Sequence, residues 1–269
     1  MQFTNEDAKM TSDAWLGLDL GGEVRGRSAL AVLGGRTDKP HLEAITLLGG
    51  QDDSLWEVVS SLRTRDPTVA IDAPLSLPIC LQAGEKCTAA SDCAVGICRS
   101  VRNYPGLGRK GMPYAERASE FELRTGIWRE FGISPKLTMQ LGIIAGRGIY
   151  LKRSLVSRGF PESNVLEVYP GASWKVREGK EIGVVIKRAR KGDSKALGRL
   201  ASSLQRYADA EASRLTEFGL DGLDSVMCAL TAYWHTKGQT VSLGGQDGRI
   251  VVPTPEPRSP GESHGGRRA

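Results

Sequence analysis

The sequence predicts an α/β fold, a mixed β-sheet flanked by helices, and three observations predict it. Short apolar runs of strand length recur near the N-terminus, separated by Gly-Gly and Lys-Pro turns. Further on, segments with helical apolar spacing alternate with more strand-like runs. The chain has 269 residues, 40% of them hydrophobic and 25% charged. That is an ordinary globular composition, long enough for one large domain with a substantial core.

Taken in order, residues 1–13 are polar and acidic and read as a flexible leader. Trp15-Leu16-Gly17-Leu18-Asp19-Leu20 reads as a buried strand ending in a Gly-Gly turn. Residues 28–33 and 42–48 are two more apolar runs, which short turns would fold into antiparallel hairpins. Leu55, Val58, Val59 and Leu62 give residues 53–62 helical spacing. Thr68-Val69-Ala70-Ile71-Asp72 is again a strand, stopped by Ala73-Pro74. Residues 76–115 form a long irregular insertion. Helices are expected at 116–129 and 141–158, and a strand at 164–169 closed by Pro170-Gly171. A long helix is expected at 195–218. A second, at 221–234, has Leu223, Val226, Met227 and Leu230 along one face. A short strand at 249–252 ends the domain, taken as residues 14–252. The Pro-, Gly-, Ser- and Arg-rich tail, 253–269, is expected to be disordered. Three antiparallel strands followed by β-α-β-α elements is the pattern of an RNase H-like sheet.

The N-terminus lacks the apolar stretch of a signal peptide, and no run is long enough to span a membrane. A cytoplasmic location and no membrane association are expected. The formal net charge of +5 suits a polyanionic partner.

Acids stand where chemistry can use them. Asp19 and Asp72 sit in or at the end of apolar strands, and Glu167 interrupts a third. Asp221 and Asp224 open an apolar helix, three residues apart and so on one face. A carboxylate in a buried strand is costly unless paired or bound to a cation. Convergence around a hard divalent cation would relieve all five at once, and magnesium takes such oxygen donors. Structural roles compete with this. Asp19 could accept from the amides of Gly21-Gly22, and Asp221 could cap its helix, with Asp224 favoured by the helix dipole.

Four segments carry a family resemblance: GLDLGG at 17–22, VAIDAPLSLP at 69–78, VLEVYPGA at 165–172 and DGLDSVMCALTA at 221–232. They resemble the family of predicted RNase H-like nucleases known as domain of unknown function 429. The likeness covers about residues 15–252, and Arg117 to Arg124 look like that family's Arg- and acid-bearing segment. A more distant similarity is to RuvC-type Holliday-junction resolvases. The resemblance implies that Asp19, Asp72 and Asp224 bind Mg²⁺ or Mn²⁺, with Glu167 and Asp221 supporting or joining them as catalytic acids. The implied partner is nucleic acid, DNA or RNA. Self-association into a homodimer is left open.

Cys80, Cys87, Cys93 and Cys98 fall inside the insertion, which has no counterpart in the resolvases. Four clustered thiolates suit Zn²⁺ or an iron–sulfur cluster, although no Cys-x-x-Cys knuckle is present. Cys228, inside the last helix, reads as core packing.

A basic stretch follows Glu167: Lys175, Arg177, Lys180, Lys187, Arg188, Arg190, Lys191, Lys195 and Arg199. Lys175 and Lys187 are candidate phosphate contacts, with a solvated helix face as the alternative. Arg124 is a candidate for local phosphate or carboxylate recognition, since a guanidinium binds such groups in a bidentate manner.

These features together lead to the expectation of a metal-dependent nuclease. GLDLGG also resembles the first phosphate loop of the sugar-kinase and actin superfamily, so an ATP-binding kinase-like protein is the second expectation. No second glycine-rich phosphate loop supports it. A non-catalytic nucleic-acid-binding module built on the cysteine site is the third.

Overall fold

The computed structural model describes residues 13–21, 27–35, 38–48, 53–82 and 116–255. Its strands are β1 (Asp13–Asp19), β2 (Ser28–Gly35), β3 (His41–Leu48), β4 (Thr68–Asp72), β5 (Val165–Val168), β6 (Thr240–Gly245) and β7 (Gly248–Pro253). They form one mixed seven-stranded sheet in the order β3-β2-β1-β4-β5-β7-β6. β1, β2 and β3 pair antiparallel; β4 lies parallel to β1, β5 to β4 and β7 to β5; and β6 closes the edge as an antiparallel hairpin with β7.

The helices are α1 (Asp53–Ser61), α2 (Ile79–Gln82), α3 (Ala118–Arg124), α4 (Thr138–Leu141), α5 (Ile143–Ser157), α6 (Pro170–Glu178), α7 (Ile182–Ala189), α8 (Ser194–Leu204), α9 (Ala212–Glu217) and α10 (Gly219–Thr236). β1 is buried along nearly its whole length, so its two faces must both be covered. Leu16, Leu18, Val69, Ile71 and Val165 pack under α1 and α5. Trp15, Ala70, Leu166 and Val168 pack against α6 to α10 on the other face. The sheet therefore sits between two helical layers. No helix among the described residues is long and apolar enough to cross a membrane.

Several elements differ from the sequence reading. β1 begins at Asp13, inside the expected leader. Residues 116–129 do not form one helix: α3 stops at Arg124, Thr125 is extended, and a 3-10 turn follows. The helix expected over 141–158 is α5, and a short helix not anticipated, α4, precedes it, separated from it by Gly142 with φ of +45°. The helix expected over 195–218 is two, α8 and α9. The segment between them turns aside, and Asp209 N–H donates to the Pro40 carbonyl (2.8 Å) while Leu42 N–H donates to the Asp209 carbonyl (2.9 Å). Pairing with the start of β3 outweighs continuation of the helix. α6, α7 and β6 were not anticipated. Within the insertion, residues 79–82 form the short α2. Residues 83–115, the leader 1–12 and the tail 256–269 lie outside the described residues.

Candidate functional site

Asp19 ends β1 and Asp72 ends β4, and the two are register partners on adjacent parallel strands. Their side chains therefore leave the sheet side by side on the same face. Two residues earlier on that face, Gly17 is the register partner of Ala70. A Cβ at Gly17 would come within 2.0 Å of the Ser225 carbonyl and 2.2 Å of the Ala229 nitrogen. The missing side chain lets α10 rest directly on β1. This brings the first turns of α10, with Asp221 and Asp224, within electrostatic reach of Asp19. α10 starts at Gly219, so Asp221 lies inside the first turn and is not the cap.

The four aspartates are half-buried. Burial, followed by the charges of Asp72, Asp224 and Asp221, pushes the Asp19 carboxyl well above the usual range. Burial, Asp224 and Glu167 raise Asp72 to about 8. The Asp19 and Asp72 carboxyls lie close enough to hydrogen-bond, an interaction that raises Asp19 and lowers Asp72. Asp224 is raised by burial to about 7, against the opposing effects of a hydrogen bond from Trp174 and the charge of Arg190. The indole N–H of Trp174 donates to Asp224 Oδ1 at 2.8 Å. The thiol of Cys228, a fully buried core residue as expected, is raised by burial and by Asp72, Asp19 and Asp224, which places it beneath the same acids.

The ion pairs among the described residues all lie elsewhere; none involves these aspartates. The donor chemistry fits a hard divalent cation: oxygen ligands only, mutually repelling and in no salt bridge. As the side chains stand, no group of three or more His, Cys, Asp or Glu among the described residues is arranged to hold a metal ion. The mutual repulsion that helps raise the Asp19 and Asp72 carboxyls is what a bound cation would relieve.

Glu167 lines the same cleft as Asp72 and Asp224 and its charge raises Asp72, but its carboxylate is engaged by an arginine. It lies between Leu166 and Val168, which pack on the α10 side, so its side chain leaves the opposite face of the sheet. There Arg117 Nη1 donates to Glu167 Oε2 at 2.7 Å, and the Leu75 backbone N–H donates to the same oxygen at 2.8 Å. Arg117 also pairs with Glu120 at 3.0 Å, and Glu120 in turn accepts from the Thr138 backbone at 2.9 Å. The Glu167 signal in the sequence was real, but an arginine answers it. This buried network ties β5 to the chain leaving β4.

A cleft of about 780 Å³ opens beside the acids, lined by Asp72, Asp224, Tyr169, Lys175, Lys187 and Arg190 among others. Both candidate lysines thus face the cleft. Lys175 donates to the Gly132 carbonyl, and its pKa is lowered by burial and then by the charge of Lys187. Arg124 is not part of this cleft and pairs with Glu116, a carboxylate contact within the protein. Cys80 is half-buried in α2; Cys87, Cys93 and Cys98 lie outside the described residues.

Sequence reasoning did not single out Trp174, Arg190 or Tyr169 as individuals. Burial and the charge of Asp72 push the Tyr169 phenol up to about 12. A tyrosine directly after a strand acid was visible, but its approach to Asp72 depends on how β4 and β5 pair. Set against family models, curated proteins and solved structures, the chain matches none.

Proposed function

We propose that this protein is a divalent-metal-dependent nuclease of RNase H-like fold, of the kind its four sequence motifs resemble. One observation carries the reading: Asp19 and Asp72 are adjacent at the ends of parallel strands, with Asp224 above them and no salt bridge to any of the three among the described residues. The sheet order supports it too, since β3-β2-β1-β4-β5 has three antiparallel strands followed by two parallel ones, with β6 and β7 as an added hairpin.

In this reading Asp19, Asp72 and Asp224 hold one or two Mg²⁺ or Mn²⁺ ions, and Asp221 adds negative charge nearby. Bound there, such ions supply an activated water and stabilise the departing oxygen of a phosphodiester. Lys175, Lys187 and Arg190 bind flanking phosphates along the cleft, leaving the scissile bond over the acids. Arg117 and Glu167 hold the backbone at Leu75 and so fix the end of β4 that carries Asp72.

The test is cleavage of single- and double-stranded DNA, RNA, hybrids and branched junctions by purified protein with Mg²⁺ or Mn²⁺. Cleavage of at least one substrate, lost in Asp19→Asn and with chelator, is expected. All substrates left intact under both ions would overturn the reading.

A further inference from the structure

Trp174 is fully buried, yet its one polar atom points at an acid of the candidate site. An indole N–H is a donor with no acceptor function, so it can bond only one oxygen of the Asp224 carboxylate. It bonds Oδ1, at 2.8 Å. That bond restrains rotation of the carboxylate and leaves Oδ2 as the oxygen the indole does not engage.

The donor is itself held in place by its surroundings. Trp174 lies in α6, and the neighbouring Ser173 Oγ shares a 3.0 Å hydrogen bond with Thr231 Oγ1 of α10. α6 and α10 are therefore joined at two points, two turns of α10 apart: the buried Ser173–Thr231 bond and the partly buried Trp174–Asp224 bond. The Ser173–Thr231 bond and the burial of the ring restrict the positions open to the indole.

We propose that Trp174 is a positioning residue that orients the Asp224 carboxylate for a divalent cation. The proposal rests on the metal-dependent reading above. Groups that hydrogen-bond a metal-ligating carboxylate from outside affect affinity through ligand orientation. Trp174→Phe keeps a buried ring but removes the donor. Trp15 is the internal comparison, because its indole N–H also bonds α10, at Thr236 Oγ1 (3.1 Å), far along the helix from Asp224. Trp15→Phe removes an equally buried indole bond to the same helix without touching the acids.

Mn²⁺ binding is measured from the loss of the free-ion electron paramagnetic resonance signal, with no nucleic acid present. Trp174→Phe should weaken binding about tenfold, while Trp15→Phe stays near wild type even if its melting temperature falls as much. Equal Mn²⁺ affinity in Trp174→Phe and wild type, with Asp224→Asn weakened, overturns the positioning role alone. Wild-type affinity in Asp224→Asn overturns both this role and the metal reading at Asp224. A second readout needs no Trp174 variant. In ¹⁵N-tryptophan-labelled wild-type protein, the indole resonance that moves in Asp224→Asn should also move on Mg²⁺ addition, and the Trp15 resonance should not. A Trp174 signal indifferent to Mg²⁺ overturns the proposal.

Discussion

At the end of β4, Asp72 lies beside Asp19 and near Asp224, and burial, then the charges of Asp224 and Glu167, raise its carboxyl to about 8. An unfolded aspartate titrates near 4. The folded pKa is the higher one, so this group's contribution is undiminished below about pH 4 and is lost as pH rises towards about 8. The metal-free protein should therefore melt lower at pH 8 than at pH 6. Asp72→Asn should remove much of that difference and raise metal-free stability at pH 8 by about 1–2 kcal/mol, while abolishing cleavage. Thermal melts by circular dichroism, with and without Mn²⁺, check this; a destabilised Asp72→Asn at pH 8 would contradict it. Glu167 carried the same signal in the sequence, a carboxyl inside an apolar strand, and has the opposite solution. Its face is set by the pairing of β4 with β5, and its partner, Arg117, stands 50 residues away. Arg117→Met should therefore destabilise by about 3–5 kcal/mol by stranding two buried carboxylates, read as a shift in the urea midpoint. Nothing local in the sequence shows such a partner, and the same is true of the bond from Trp174 to Asp224.

The element that makes the site is α10, and its height over the sheet is set by Gly17, where a Cβ would stand 2.0 Å from the Ser225 carbonyl. Gly17→Ala should lift the helix, costing about 1–3 kcal/mol of stability. It should lower Mn²⁺ affinity well beyond what that loss of stability explains, because Asp221 and Asp224 move together with the helix. Unchanged Mn²⁺ affinity in a folded Gly17→Ala protein would contradict this. The central strands and α10 were legible because each is a continuous apolar pattern of one period. β6 was not, since Thr240–Gly245 is a half-exposed edge strand with little apolar content. The break between α8 and α9 was equally hidden, because helical periodicity carries no trace of the backbone pairing between Asp209 and the start of β3.

Across the whole molecule, negative charge is gathered at the strand ends, and Lys175, Lys187 and Arg190 line the cleft beside it. A polyanion reaching the acids must pass these cations, so affinity should fall steeply with salt. Replacing all three by alanine should flatten the dependence of log K on log[salt] by about 0.7–0.9 for each phosphate that is no longer neutralised. An unchanged slope would place nucleic-acid binding elsewhere on the molecule. The basic stretch was plain in the sequence. Which of its members face the acids was not, because that depends on how α6 and α7 fold back over the sheet. In the proposed function Asp19, Asp72 and Asp224 share a divalent cation. The most direct test is a crystal of the protein grown with Mn²⁺ and measured for anomalous scattering. A manganese peak bounded by these three carboxylates and absent in Asp72→Asn is expected; Mn²⁺ bound only elsewhere would contradict a shared site.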